Sequence, residues 1–329
     1  MLYPLSYGGW GRKTMADIAA RCHRRTPVTA ASYRSDMELQ LTLDQPQVAG
    51  PLTLFPVYSD APAAPDYLPG PRAVDLLEVS EREDGAAVPE LLVRNLAGCP
   101  VLLVEGETLV GAKQNRTLNV SVLVAPHGKT VIPVSCVEAG RWNTPRSAKR
   151  SPRHAPSALR SFKTESVNRS VESGAGRRSD QGEVWAAVAD YATHFAVASP
   201  TAALEDVHDS IHADVERLAR DLTPAEGQRG VLMAVGSTVR SLDLFDKADT
   251  LAAYWDSLVR GYAMDALGQP PATATLADGN AFAAVLSEAR WSESPGAGLG
   301  RELHLTSSDV VATGLHWAGA ICHLAAFAR

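Results

Sequence analysis

The chain has 329 residues, 45% of them hydrophobic and 21% charged, and carries a net charge of −6. That is the make-up of an ordinary globular protein with a sizeable core, and it excludes a general attraction to nucleic acid or to an anionic membrane. No apolar run approaches the roughly 20 residues that cross a bilayer. The four cysteines, Cys22, Cys99, Cys136 and Cys322, form no C-x-x-C pair, so reduced thiols and a cytoplasmic setting are expected.

Residues 1–36 are rich in arginine, with Arg12, Arg21, Arg24, Arg25 and Arg34, and lack the continuous apolar stretch of a secretory signal. They read as a disordered tail ahead of one α+β domain spanning 37–329. From 37 to 142 the pattern is β. MELQLTLDQPQ and PLTLFPVYS alternate apolar and polar residues. AVDLLEVSE, PELLVRNLAG, CPVLLVEGETLVG, LNVSVLVAPHG and KTVIPVSCVEAG follow, separated by Gly, Pro, Asn and Asp turn signals.

The segment 143–178 changes character: it is rich in Arg, Lys, Ser and Pro, with Glu165 and Glu172 as its only acids. With few apolar residues to offset the entropy of ordering, it reads as a mobile basic insertion. SDQGEVWAAVADYATHF is a helix with Ser179 as N-cap candidate, and ALEDVHDSIHADVERLARDL a second helix with a stripe from Leu204 to Leu218. RGVLMAVGSTVRSLDLFD predicts a hairpin turning at Gly236-Ser237. TLAAYWDSLVRGYAMDALG is a third helix stopped at Gly268, and GRELHLTSSDV and VATGLHWAGAICHLAAF return to strands. The fold class is α+β: an N-terminal antiparallel β sandwich or barrel, a helical layer and C-terminal strands.

Polar residues concentrate between Glu105 and Trp142, within VEGETLVGAKQNRTLNVSVLV and VIPVSCVEAGRW. Arg116 has the fork that takes a phosphate or carboxylate bidentately, and Gln114 and Asn115 offer donors and acceptors. Glu105 and Glu138 suit a base and an acid, or metal ligation. The same composition also suits a solvated turn closed by its own ion pairs. Cys136 sits in an apolar run and reads as a small buried hydrophobe rather than a nucleophile. His208 and His212 stand at i,i+4 on a predicted helix, but no third ligand accompanies them, so no metal is assigned. The residues name no cofactor. Walker, G-x-G-x-x-G and G-x-S-x-G loops are all missing.

Five segments in this order, GETLVGAKQNRTLNVSVLV, VIPVSCVEAGRW, SDQGEVW, GVLMAVGSTVRSLDLFD and YWDSLVRGYAMDA, resemble the ARG and rhodanese-phosphatase-superfamily-associated protein domain family over residues 37–268. ARG there stands for ADP-ribosylglycohydrolase. The resemblance implies a binder or hydrolytic accessory for ADP-ribose or another NAD-derived nucleotide, with an ADP-ribosylglycohydrolase-type protein as partner. Carried onto matching positions, it implies a site of Glu105, directly before the first segment, with Glu107, Lys113, Gln114, Asn115, Arg116 and Asn119 from within it. Cys136, Glu138, Arg141 and Trp142 come from the second, and Asp180, Gln181 and Trp185 from the third. In that picture Arg116 and Arg141 neutralise a pyrophosphate, Trp142 or Trp185 stacks on a base, and Glu105 or Glu138 is the general base if hydrolysis occurs. A non-catalytic patch that engages a partner protein is the competing expectation.

Overall fold

Strand pairing between residues 77 and 154 closes a barrel, and this decides between sandwich and barrel. The computed structural model describes residues 39–82, 88–142 and 147–329; the expected N-terminal tail lies outside the described residues. Strands β5 (Leu77–Ser80), β6 (Glu90–Asn95), β8 (Glu107–Gly111), β9 (Arg116–Leu118), β11 (Lys129–Cys136) and β12 (Ser147–His154) pair in the closed order β11-β6-β5-β12-β8-β9, every pair antiparallel. Closure leaves no edge strand. Alternate residues Val79, Leu91, Val93, Leu109, Leu118, Ile132, Val134 and Ala148 fill the interior.

The second layer is a nine-stranded sheet. Its strands are β1 (Thr42–Leu43), β2 (Gln47–Ala49), β3 (Leu52–Tyr58), β13 (Gly230–Val235), β14 (Thr238–Phe245), β15 (Ser292–Pro295), β16 (Arg301–Thr306), β17 (Val310–Trp317) and β18 (Ala320–Ala328). They run in the order β1-β3-β13-β14-β18-β17-β16-β15, with β2 on β3. The β13–β14 hairpin turns at Gly236, which takes a positive φ of 59° as a two-residue turn requires. Three short strands, β4 (Leu68–Pro69), β7 (Val101–Leu103) and β10 (Val122–Val124), make a small sheet of their own.

Six helices stand among the described residues: α1 (Ser157–Glu172), α2 (Gln181–His194), α3 (Leu204–Ser210), α4 (His212–Ala219), α5 (Ala248–Ala266) and α6 (Leu276–Ser287). α5 lies against β12 of the barrel and β13 of the sheet, while α1 lies across β14 and β16–β18, so these two helices join the layers. α6 covers the opposite face of the sheet through Phe282, Ala283 and Leu286. None of these helices is long and apolar enough to cross a membrane.

Three expectations change. The helix expected over residues 203–222 is two helices broken at Ile211, whose backbone leaves the helical region (φ −100°, ψ 8°). The N-cap of α2 is Asp180 rather than Ser179; its carboxylate accepts from the backbone N–H groups of Gly182 and Glu183. Most of the basic segment is regular structure, since residues 147–154 are the barrel strand β12 and residues 157–172 are α1. Its cations replace apolar residues as the groups that order it. Arg150, Arg153, Arg160, Lys163 and Arg177 each reach a carboxylate elsewhere in the fold.

The start of α1 shows the same economy. Its N-cap, Pro156, has no side chain to cap with, and Asp265 of α5 accepts from Ser157 N at 2.7 Å and Ser157 Oγ at 2.6 Å instead. Cys136 and Cys322 are free thiols buried from solvent.

Candidate functional site

The polar residues between 105 and 142 divide between the two ends of β8. Its five residues span about 17 Å at the usual strand rise.

Beyond its C-terminal end, residues 112–116 lead into β9 and residues 137–142 follow β11. Arg141 stitches these two stretches together. Its guanidinium donates to Glu138 through Nε–Oε1 at 2.8 Å and Nη2–Oε2 at 2.6 Å, to Ala112 O at 2.9 Å and to Asn115 Oδ1 at 3.0 Å. Glu138 Oε2 also accepts from Asn115 N at 2.9 Å. Burial opposes charge on Glu138, but the Arg141 and Asn115 hydrogen bonds outweigh it and hold the carboxyl below its usual range. Glu138 is therefore ionised, and both of its oxygens are engaged.

Arg116, the first residue of β9, faces the barrel interior with Leu118, two residues on, and is 0% exposed. Its Nη1 reaches Gln114 Oε1 at 3.4 Å, the outer limit of a hydrogen bond, whereas Nε and Nη2 have no partner. Burial pulls its pKa down from the ordinary value, opposed by Cys136 and Glu81. The Trp142 ring, 48% exposed, covers this group: Lys113 Nζ stands 4.8 Å from its centroid and the Arg116 guanidinium carbon 5.9 Å. Gln114 donates to Ala139 O at 3.3 Å. Cys136 is paired in register with Arg116, and its thiol is pushed up to about 11 by burial, so the thiolate that would act as a nucleophile is disfavoured. Gln181 of α2 holds the end of β11 as a strand neighbour would. Its Oε1 accepts from Cys136 N and its Nε2 donates to Cys136 O, both at 2.8 Å.

Glu105 precedes β8 and is 0% exposed. Its Oε2 meets Arg160 Nε at 2.9 Å and its Oε1 meets Lys163 Nζ at 2.6 Å. Arg160 turns its other two nitrogens to Asp243 of β14, at 3.0 and 2.6 Å. Asp243 also accepts from Tyr262 Oη, and His323 Nε2 stands 3.1 Å from it. The other His323 ring nitrogen is 2.7 Å from Ser121 Oγ, which accepts from Glu105 N at 3.0 Å and completes the circuit. Burial would raise Asp243, yet Arg160 and His323 hold it far below the usual carboxylate range. Two acids and two bases cancel in a space closed to solvent. Gly106 permits this approach, because a Cβ there would lie 2.6 Å from His154 Nε2 and 2.7 Å from Arg160 Nε. Glu107 is closed in the same manner by Arg150, Tyr254 Oη at 2.8 Å and Val104 N at 2.7 Å.

The remaining expected residues serve elsewhere. Asn119 donates to Arg177 O at 2.9 Å and accepts from Ser135 Oγ at 2.5 Å. Asp180 is the α2 cap, and Trp185 lies 37% exposed on α2. The fold thus gathers Lys113, Gln114, Asn115, Arg116, Cys136, Glu138, Arg141, Trp142 and Gln181 at one end of the barrel, and sends Glu105 and Glu107 to the other.

Glu81, which is 5% exposed with an unpartnered Oε2, was not expected from the sequence, nor were Arg160, Lys163, Asp243 and Tyr262. Glu81 carried a signal: it continues the inward series Leu77, Val79. A cavity of about 670 Å³ opens at a separate place, lined by Ser157, Phe162, Tyr191, Arg240, Asp265 and Arg329 among others, and it includes none of the expected site residues. Asp265, its most buried acid, is already used as the α1 cap.

Residues 40–327 match the domain family described as ARG and Rhodanese-Phosphatase-superfamily-associated Protein. No curated protein and no solved structure gives a significant match.

Proposed function

The chain belongs to the ARG and Rhodanese-Phosphatase-superfamily-associated Protein domain family, and from that premise we propose that it binds a phosphate-bearing, ADP-ribose-like nucleotide at the Arg116 end of the barrel, as an accessory to ADP-ribosylation metabolism. One observation carries this reading: Arg116 is a fully buried guanidinium with two unpartnered nitrogens. Leaving such donors unmatched is costly, and a phosphate is the bidentate partner that matches them. Trp142 offers the face on which a base stacks, and Lys113 adds a second cation.

Binding is favoured over hydrolysis. A general base needs a lone pair at the substrate, and Glu138 gives its oxygens to Arg141 and Asn115 while Glu105 gives its own to Arg160 and Lys163.

The test is a thermal-unfolding series with ADP-ribose, ADP and pyrophosphate. A ligand at about 100 times its dissociation constant adds about 2.7 kcal/mol of stability, and Arg116→Met abolishes that increment. An unchanged midpoint at millimolar concentrations of all three overturns the reading. A second reading, that the patch engages an ADP-ribosylglycohydrolase-type protein, draws on the exposed rings of Trp142 and Trp185. It requires that Trp142→Ala weaken capture of such a partner while the variant stays folded.

A further inference from the structure

Arg116 does not stand alone at its end of the barrel. Glu81 follows β5 directly and keeps the inward direction of Leu77 and Val79, so its side chain enters the same end of the barrel interior. Its Oε1 accepts from Lys113 N at 2.9 Å, which ties it to the stretch leading into Arg116. Its Oε2 is buried and without a partner, as are Nε and Nη2 of Arg116. The two groups feel each other: Glu81 is among the charges that favour the protonated forms of both Arg116 and Cys136. Yet they form no ion pair within 4 Å of the kind that Glu138 and Arg141 make in the neighbouring loop. A buried cation and a buried anion, each with open hydrogen-bonding capacity, match a ligand that brings an anion and a donor together.

We propose that Glu81 is the second anchor of this ligand site, and that the ligand presents a phosphorylated ribose unit: the phosphate meets Arg116 while a sugar hydroxyl donates to Glu81 Oε2. This rests on the anion-binding reading of Arg116 and specifies what the anion must carry. A bare phosphate gains from Arg116, but its single tetrahedral group must then serve both residues, and its charge is repelled by the Glu81 carboxylate even where a P–OH donates to it. A phosphorylated sugar satisfies both groups. The carboxylate thereby turns a general anion hole into one that discriminates against inorganic phosphate.

Titration calorimetry with ribose 5-phosphate and with inorganic phosphate tests this on the full chain, on Glu81→Gln and on Glu81→Asp. Glu81→Gln keeps the side-chain shape and an acceptor for Lys113 N but removes the charge. Wild-type protein is expected to prefer ribose 5-phosphate. In Glu81→Gln the preference falls about tenfold, the usual worth of a hydrogen bond to a charged group, while inorganic phosphate binds as well as before or better. Glu81→Asp retains the charge but withdraws it by one methylene, and it should lose preference without improving phosphate binding. It supplies the reading if the glutamine variant fails to fold. Equal wild-type affinity for the two ligands, or an unchanged preference in both variants, overturns the role of Glu81 and leaves anion binding standing. Wild-type protein that binds neither ligand at millimolar concentration removes the anion site, and this inference with it.

Discussion

The two ends of β8 hold similar residues in opposite conditions. Before the strand, Glu105, Arg160, Lys163 and Asp243 are fully buried and paired charge to charge, and Tyr262, His323 and Ser121 add hydrogen bonds around them. After it, Arg116 is equally buried, yet two of its nitrogens and one Glu81 oxygen are left without partners. A closed network of this kind holds two layers together and rejects ligands, because every charge in it already has an oppositely charged partner at 2.6–2.9 Å. The open set is locally unfavourable, and a ligand can relieve it. The difference teaches that a buried charge points to binding only when its partners are incomplete.

The largest effect should come from opening the closed end. Arg160→Met leaves Glu105 and Asp243 buried with their shared counter-ion gone, and should cost about 3–5 kcal/mol in urea unfolding at unchanged m-value. A loss below about 1 kcal/mol would mean that this network is solvated and the contrast unfounded.

Acid sharpens the comparison next. His154 donates from Nε2 to Glu105 O at 2.8 Å when neutral, and burial followed by the charge of Arg160 depresses its pKa well below 6.5. The folded chain then resists a proton that the unfolded chain accepts below about pH 6.5, so stability falls as pH drops through that value. One such group contributes a slope of up to about 1.4 kcal/mol per pH unit. His208, pushed down to about 3 by burial and Arg153, acts in the same direction. His154→Gln should make the decline between pH 6.5 and 5 shallower, and identical slopes for variant and wild type would remove His154 from the account.

The smallest effect is expected at the open end. Arg116→Met removes an incompletely matched buried cation and should change ligand-free stability by less than about 1 kcal/mol, in either direction. A destabilisation matching that of Arg160→Met would place Arg116 among the closed groups.

The motif EGETLVGAKQNR gives no hint that its two ends part ways. Glu105 and Arg116 both look like polar residues near a turn, and only strand pairing assigns one to α1 and the central sheet and the other to the barrel interior. Strands such as β11 and β13, and helices such as α5, were legible because their buried positions are apolar at the right period. β12 and α1 were not. The buried positions of α1 include Arg160, Lys163, Thr164, Val167 and Asn168, a helical stripe at i, i+3, i+4, i+7 and i+8, but it is written mostly in polar residues. A hydrophobicity pattern cannot register a face that is buried by ion pairing. Glu81 was lost for a related reason: an acid beside a turn reads as solvated until the strand before it is known to face inward.

That polar stripe binds the fate of the barrel to the rest of the chain. The sixth barrel strand arrives only at residues 147–154, and the cations answering Glu105 sit on a helix that leans on a sheet completed by the last strand, β18. During synthesis the first 142 residues would present two open strand edges, on β5 and β8, and acids still awaiting their counter-ions. The barrel therefore cannot mature ahead of the C-terminus, and a proteolytic fragment of it would inherit the same incompleteness.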